Sequence, residues 1–262
     1  MALGGELQLN SEQGSNASDP ARFRTTRWSA ILVAAASRMP GSQAALNELC
    51  RLYWYPLYAF ARRRGYAPHD AQDLTQGFFL HLLERHSLKR ADPLKGKFRS
   101  FLLASFQNFL SDQADRARSL KRGGNREFIS FDAQDAESRW GLEAADHLTA
   151  ENIYDARWAM TLLSSAVDQL REECAGRGET SRFEALCAFV GVAKGQAPPS
   201  CEEVAKSLGV SIGTAKTLIH RFRKRYSAIL RETIARTVTD PAEIEEEVRA
   251  LCQALAIAEG RI

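Results

Sequence analysis

Apolar residues recur at helical spacing along most of this chain, and this periodicity is the feature that most restricts its fold. It predicts helices over residues 43–66, 69–85 and 98–120, with Gly- and Pro-containing breaks between them. The same spacing resumes over 151–173 and again within 200–230. The sequence therefore predicts an all-α protein.

The net charge of +3 conceals strong charge segregation along the chain. Residues 22–126 carry 19 basic and 7 acidic residues, residues 127–203 have a net charge of −9, and residues 204–236 have a net charge of +7. Two basic blocks separated by an acidic one indicate polyanionic partners, and nucleic acid is favoured over lipid because no amphipathic helix has a basic membrane-type face. The alternative is that solvated helix faces happen to segregate by sign.

Several classes of protein are disfavoured. No apolar run approaches the roughly 20 residues of a membrane helix, and the polar start has no secretory pattern. We therefore expect a cytoplasmic protein with no membrane insertion. The sequence has no His-Glu-x-x-His motif and no phosphate-binding loop, so we expect no enzyme activity, no cofactor and no metal site.

Residues 200–230 have the pattern of a helix-turn-helix. Ser200 is placed to cap a short helix, with Glu203 completing a capping box. Gly209 can adopt the positive φ of a tight turn, and Ser211 is placed to cap a second helix. This spacing is typical of DNA-binding helix pairs.

The outer face of the second helix carries hydroxyl-bearing and basic side chains: Thr214, Lys216, Thr217, His220, Arg221 and Lys224. Such groups can contact bases and phosphates when a helix enters the major groove. The alternative is a surface helix whose charges serve solubility. Residues 216–236 contain seven basic residues against Glu232 alone, which favours DNA contact.

The end of the third predicted helix is also polar and basic. Its outward residues include Asn108, Asp112, Arg116, Arg118, Lys121 and Arg122. An amide and a carboxylate one turn apart can contact the edges of unpaired bases, while arginines neutralise phosphates. Many ordinary surface helices carry similar residues, so this pattern alone is weak.

Two sets of motifs together resemble a known family. They are YWYPLY at 53–58, DAQDLTQGFF at 70–79, FRSFL at 98–102, and the segment 202–225 that contains SIGTAK. The first three resemble region two of the extracytoplasmic-function (ECF) sigma factors of bacterial RNA polymerase, and the last resembles their region four. The order of the two sets, with a linker between them, is also that of the family.

The resemblance implies a division of the chain. Residues 25–122 would form a helical bundle that binds core RNA polymerase and reads the minus-ten element as single strand. Residues 160–236 would form a helix-turn-helix domain that reads the minus-thirty-five element, and 123–159 would be an acidic linker. We expect 1–24 to be a mobile segment and 237–262 to be an acidic C-terminal extension.

The resemblance also assigns roles to residues. Asp73, Gln76 and Phe79 would contact core polymerase, and the polar end of the third helix would contact the minus-ten region. The outer face of the second helix of the helix-turn-helix would be the recognition surface. The implied function is promoter recognition, DNA opening and transcription initiation, with core RNA polymerase and promoter DNA as partners and an anti-sigma protein left open.

Other interpretations remain at this point. The chain could be a helix-turn-helix regulator that binds duplex DNA without acting as a polymerase subunit, or a helical adaptor without DNA contact. The acidic linker could mimic nucleic acid, repel DNA or serve as a tether. The C-terminal extension could cover an apolar surface or mask the recognition helix.

Overall fold

The computed structural model describes residues 42–84, 97–119, 136–137, 140, 148–191, 197–238 and 240–261. These residues form helices and contain no strand, so the predicted all-α class is confirmed for the described part. The α-helices are α1 (Ser42–Arg63), α2 (Pro68–Glu84), α3 (Phe98–Ser119), α4 (Ala150–Gly176), α5 (Thr180–Leu186), α6 (Cys201–Leu208), α7 (Ile212–Ala235) and α8 (Ile244–Ala258). None of these helices has the length and apolar character needed to cross a membrane.

Local signals set the ends of the first helices. α1 continues through Pro56 and ends before Gly65, which has a left-handed φ of +92°. α2 begins at Pro68, where a fixed φ and a missing N–H are tolerated. Asp70 lies in its first turn, where a negative charge favours the helix dipole. The predicted bounds of the first three helices agree with the structure to within a few residues.

The first three helices meet in an aromatic core. Phe106 of α3 is fully buried, with its ring centroid 5.0 Å from that of Phe78 in α2 and 6.1 Å from that of Phe60 in α1. Tyr53 of α1 meets Phe98 edge-on at 5.3 Å. Tilted and edge-on aromatic pairs of this kind add to the stabilisation from apolar burial. This packing leaves the opposite face of α3 turned outward.

Helix α4 joins two cores. Thr149 caps its N-terminus, and Tyr154 and Trp158 in its first half pack with α1 in the aromatic core. Val167 and Leu170 in its second half belong to another apolar core, which includes residues of α5, α6 and α7. One continuous helix thus contacts both of the segments that resemble sigma regions.

The predicted linker 123–159 overlaps ordered, packed structure. Its last ten residues are helical because α4 begins at Ala150, and Trp158 has no solvent exposure. Earlier in the segment, Glu137 forms an ion pair with Arg62 of α1 at 2.9 Å. The predicted restart of helical structure near residue 151 is confirmed. The division into domains stays a prediction, and segment 1–24 lies outside the described residues.

The C-terminal extension contains a docked helix. Leu251 and Ala254 of α8 are buried, and α8 packs on α4 and on α7, whose Ile234 belongs to the same core. The extension therefore covers an apolar surface. The outer face of α7, which the sequence predicts to be the recognition surface, stays exposed in the described structure.

Candidate functional site

The helix-turn-helix has the local hydrogen bonds that its sequence predicts. The backbone N–H of Glu203 donates to Ser200 Oγ at 3.2 Å, and the backbone N–H of Ser200 donates to Glu203 Oε2 at 2.7 Å. Gly209 ends α6 with a φ of +64°, which favours glycine. Ser211 Oγ then accepts from the N–H of Thr214 at 3.1 Å and caps α7. These contacts fix the turn from which α7 starts.

The inner face of α7 anchors it to the second core. Ala215 is fully buried, and Phe222 packs against Phe183 of α5 with ring centroids 5.9 Å apart. Arg225 donates two hydrogen bonds to Glu173 of α4, at 2.8 and 2.5 Å. These bonds lower the pKa of the Glu173 carboxyl and raise that of the Arg225 guanidinium. Helix α7 is therefore held by both apolar packing and a bidentate ion pair.

The outer face of α7 is exposed at every predicted position: Thr214, Lys216, Thr217, His220, Arg221 and Lys224. The hydroxyls make local bonds, since Thr214 Oγ1 lies 2.9 Å from Ser211 Oγ and Thr217 Oγ1 donates to the carbonyl of Gly213 at 3.1 Å.

The four nitrogen-bearing side chains of this face differ from the two threonines in having no bonding partner among the described residues. Lys216, His220, Arg221 and Lys224 form no hydrogen bond or ion pair with any other described residue. We call these four side chains the cationic face. Side chains of this kind are available to phosphates and base edges.

Other basic residues of the same helix are bound within the protein. Arg223 donates to the carbonyl of Phe189 and lies over its ring at 5.3 Å. Arg231 forms an ion pair with Glu245 of α8 at 3.0 Å. The basic residues of α7 thus fall into two groups: those that point outward without a partner among the described residues, and those that are bound to other parts of the protein. A count of basic residues in the sequence does not separate the two groups.

The polar face of α3 forms a single stripe. Asn108, Asp112 and Arg116 are exposed and follow one another at a spacing of four residues, which places them on one side of the helix. Gln107, beside this stripe, donates to Glu151 of α4 at 3.1 Å. The helix includes Arg118, but its side chain lies outside the described residues.

The basic end of the third predicted helix is only partly described. Lys121 and Arg122 fall outside the described residues altogether. The structure therefore brings together three of the six residues predicted for the minus-ten region.

The three residues predicted to bind core polymerase have different exposures. The Asp73 side chain is 45% exposed, and its Oδ2 lies 3.2 Å from Nδ1 of His69. Asp73 also lines an open cavity of about 300 Å³ between α2 and α3, with Leu74 and Leu110 among its apolar walls. Buried side chains occupy the other two positions, since Gln76 is 9% exposed and Phe79 is 7% exposed.

An ionic cluster that sequence analysis missed joins α3, α4 and α8. Glu247 of α8 is 2% exposed, and its carboxylate lies 2.9 Å from Nζ of Lys97 and 2.8 Å from Nε of Arg99. Arg99 also pairs with Asp155 of α4 and lies over the ring of Trp158 at 4.7 Å. The acidic run 245–247 is visible in the sequence, but nothing local predicts partners some 150 residues away.

Burial and ion pairing have opposite effects on the pKa values of the charged groups in this cluster. Burial lowers the pKa of the Lys97 amine, but hydrogen bonds to Glu247 and Glu246 outweigh it and the net shift is upward. Burial raises the pKa of the Asp155 carboxyl, and its pairing with Arg99 only partly offsets this. Loss of one member would therefore leave a buried charge without compensation.

Among the described residues, no group of three or more His, Cys, Asp or Glu side chains could hold a metal ion.

Comparison with known proteins supports the resemblance. No family model matches the chain, and no solved structure matches it. The chain is 28% identical over 209 residues to the ECF RNA polymerase sigma factor SigE of Mycolicibacterium smegmatis (strain ATCC 700084 / mc(2)155), an alignment that covers 78% of this chain and 68% of that protein. The predicted resemblance is confirmed: the chain is a distant relative of an ECF sigma factor, which suggests a sigma-factor function at the level of the family.

Proposed function

We propose that this chain is a non-catalytic subunit that binds core RNA polymerase and directs promoter recognition, DNA opening and transcription initiation. The observation that carries the proposal is the cationic face of α7, which projects from a capped helix-turn-helix in a relative of an ECF sigma factor. Cations without partners among the described residues are suited to replace the counterions of DNA phosphates. The proposed partners are core polymerase and promoter DNA.

Two helical faces would divide the DNA contacts. The cationic face, together with Thr214 and Thr217, would enter the major groove of the upstream element. The stripe of Asn108, Asp112 and Arg116 on α3 would contact unpaired bases and phosphates of the minus-ten region. Capture of an unstacked base must offset a cost of a few kcal/mol, and an amide, a carboxylate and a guanidinium in one row supply suitable hydrogen bonds. We assign Arg118, Lys121 and Arg122 to the same surface.

Core polymerase would dock at the open cavity between α2 and α3. Asp73 gives this cavity a negative charge, and Leu74 and Leu110 give it apolar area. Gln76 and Phe79 would support this surface from the protein interior and would not contact polymerase directly, because both are buried in the free chain. Asp73→Ala should therefore weaken core binding, whereas Phe79→Ala should mainly destabilise the fold.

A second candidate function is a helix-turn-helix regulator that binds duplex DNA without joining polymerase. The burial of Gln76 and Phe79 favours this alternative, since only one of the three proposed core contacts is accessible. It predicts DNA binding with no association with core polymerase.

The experiment that separates the two functions is affinity purification of the full chain with purified core RNA polymerase. We expect a stable complex with wild type and a weaker one with Asp73→Ala. Asp168→Ala is the matched control, because it removes a half-exposed carboxylate of α4 that pairs only with Arg171 in the described structure. Absence of a complex with wild type would refute the proposed function.

A further inference from the structure

We propose that Ile212, the first residue of α7, is a specificity-determining residue that contacts the C5-methyl group of a thymine in the upstream DNA element. The inference rests on the proposed function only for the entry of α7 into a major groove, and it applies equally to a regulator that binds duplex DNA. Three observations lead to it: the exposure of Ile212, its place in a row of outward residues, and the lack of any polar atom in its side chain.

Ile212 is an apolar residue that the fold leaves exposed. Its exposure is 45%, and among the described residues the other exposed large hydrophobic is Leu80 of α2, at 37%. Apolar residues further along α7 differ, since Ala215 is fully buried and Ile219 is 6% exposed. A single exposed apolar side chain is common in proteins and indicates no function by itself. The position of Ile212 on its helix is what gives the exposure a meaning.

Ile212 extends the row of outward residues by one turn toward the N-terminus of α7. It lies four residues before Lys216, which in turn lies four residues before His220, and this spacing places the three side chains along one side of the helix. In helix-turn-helix proteins, the N-terminal residues of the second helix contact base edges in the major groove. Ile212 therefore lies at the end of the row that comes closest to the bases.

The local structure holds Ile212 at this end and leaves it accessible. Ser211 Oγ accepts from the N–H of Thr214, and the carbonyl of Ser211 accepts from the N–H of Ala215 at 2.9 Å. The residues that follow Ile212 in the first turn are small, namely Gly213, Thr214 and Ala215, so Ile212 has the largest side chain of that turn. A β-branched residue in a helix has one strongly preferred χ1 rotamer, and little side-chain freedom is therefore lost on contact.

The chemistry of Ile212 identifies what it recognises. Its side chain has no donor or acceptor, so it cannot hydrogen-bond a phosphate or a base. In the major groove, the bases present donors and acceptors together with one methyl group, that of thymine. Contact between the two apolar groups removes both from water, and burial of one carbon of this kind corresponds to a change in affinity of about fourfold. Ile212 therefore distinguishes thymine by a group that the cationic face cannot hydrogen-bond.

The test uses duplex DNA in which one thymine at a time is replaced by deoxyuridine, which lacks the methyl group and keeps the hydrogen-bonding groups of the base. The duplex is first selected from a random pool by the full chain, both alone and in complex with core polymerase. Titration of labelled duplex should show one replacement that weakens the binding of wild type by about fourfold. An affinity that no replacement changes would overturn the proposal.

Two variants complete a double-mutant cycle with the base change. Ile212→Ala should bind the thymine duplex and the uracil duplex equally, because the apolar partner of the methyl group has been removed. Leu80→Ala is the matched control, since it removes the other exposed large hydrophobic of the described structure and should keep the difference between the duplexes. A difference that persists in Ile212→Ala would assign the contact to another side chain, such as Thr214 or Thr217, and would overturn the proposal.

A folding defect at the start of α7 is checked separately. Alanine is the best helix former, and Ile212→Ala keeps the cap at Ser211, so its circular dichroism and thermal midpoint should match those of wild type. Ile212→Val keeps a β-branched apolar side chain and should retain most of the preference for thymine. Equal loss of the preference in Ile212→Val and Ile212→Ala would contradict an apolar contact.

Failure of the thymine contact and failure of the proposed function give different results. If the chain does not bind core polymerase, the proposed function fails, while a uracil effect that is lost in Ile212→Ala still establishes the contact. If the chain directs transcription from its promoter and uracil at each thymine of the upstream element leaves binding unchanged, the contact alone is refuted. Absence of any sequence-specific duplex from both selections would also overturn the contact.

Discussion

Two sets of basic residues in this molecule have opposite environments. Lys97 and Arg99 at the start of α3 are neutralised by Glu247 and Asp155, whereas Lys216 and Arg221 on α7 project from the protein without a partner among the described residues. Both sets fall within the basic blocks of the sequence. Charge density along a chain therefore indicates where polyanions could bind, and only pairing within the fold indicates which cations remain available.

The largest expected effect concerns the paired set. Arg99→Ala should lower the free energy of unfolding by about 3–5 kcal/mol, because it leaves the buried Glu247 carboxylate and the partly buried Asp155 without their shared partner. Chemical denaturation at neutral pH measures this change.

The control for Arg99→Ala is an exposed ion pair whose acidic partner also lies on α8. Arg231→Ala removes the contact with Glu245, in which the two side chains are 47% and 65% exposed. Its effect should be below about 1 kcal/mol. Equal losses in the two variants would remove the distinction between buried and exposed cations.

The next largest effect concerns the unpaired set. Arg221→Ala should weaken binding to upstream-element duplex DNA by about 1–3 kcal/mol if the side chain contacts a base, without changing stability. Titration of labelled duplex at fixed salt measures the affinity.

Arg223→Ala is the matched control for this prediction. Arg223 lies two residues away on the same helix, but it is bound to the carbonyl and the ring of Phe189. It should leave the affinity nearly unchanged. Parallel losses in both variants would indicate that general charge, and not the outward face, determines binding.

A smaller effect should appear in the salt dependence. Lys216→Gln should reduce the slope of log K against log salt by about one unit and weaken binding to all sequences alike, as expected for a phosphate contact. Arg171→Gln, which removes an exposed cation paired with Asp168 on α4, should leave the slope unchanged. A sequence-dependent loss for Lys216→Gln would assign it a base contact instead.

The smallest effect is a pH-dependent one at the pair of Arg225 and Glu173. Arg225→Ala should cost no more than about 1 kcal/mol at neutral pH, because the Arg225 side chain is 38% exposed. The Glu173 pKa is lowered in the folded state, so its contribution is present above the unfolded pKa and is lost as pH falls through the folded pKa. The difference between variant and wild type should therefore shrink below about pH 4. A difference that stays constant to pH 2 would contradict this assignment.

Elements set by local signals could be predicted from the sequence. The capping box of Ser200 and Glu203, the positive φ of Gly209 and the cap at Ser211 each depend on residues within a few positions of one another. Helical periodicity likewise located α1 to α4 and predicted that the outer face of α7 would be exposed.

Features that depend on distant packing could not be predicted in this way. The burial of Gln76 and Phe79 depends on how α2 meets its neighbours, and the burial of Glu247 depends on partners in α3. The helical pattern over 151–173 includes Trp158, but the burial of this residue against the aromatic core depends on distant packing that the pattern does not specify. The sequence pattern thus predicted the exposed face of α7, but it did not predict the long-range contacts between helices.

The most direct test of the central claim is reconstituted transcription from a cognate promoter with purified core RNA polymerase. We expect promoter-specific transcript with wild type and with Arg223→Ala, and a loss of about tenfold or more with Arg221→Ala at limiting protein. Absence of specific transcript with wild type, or equal transcript from the two arginine variants, would contradict the account.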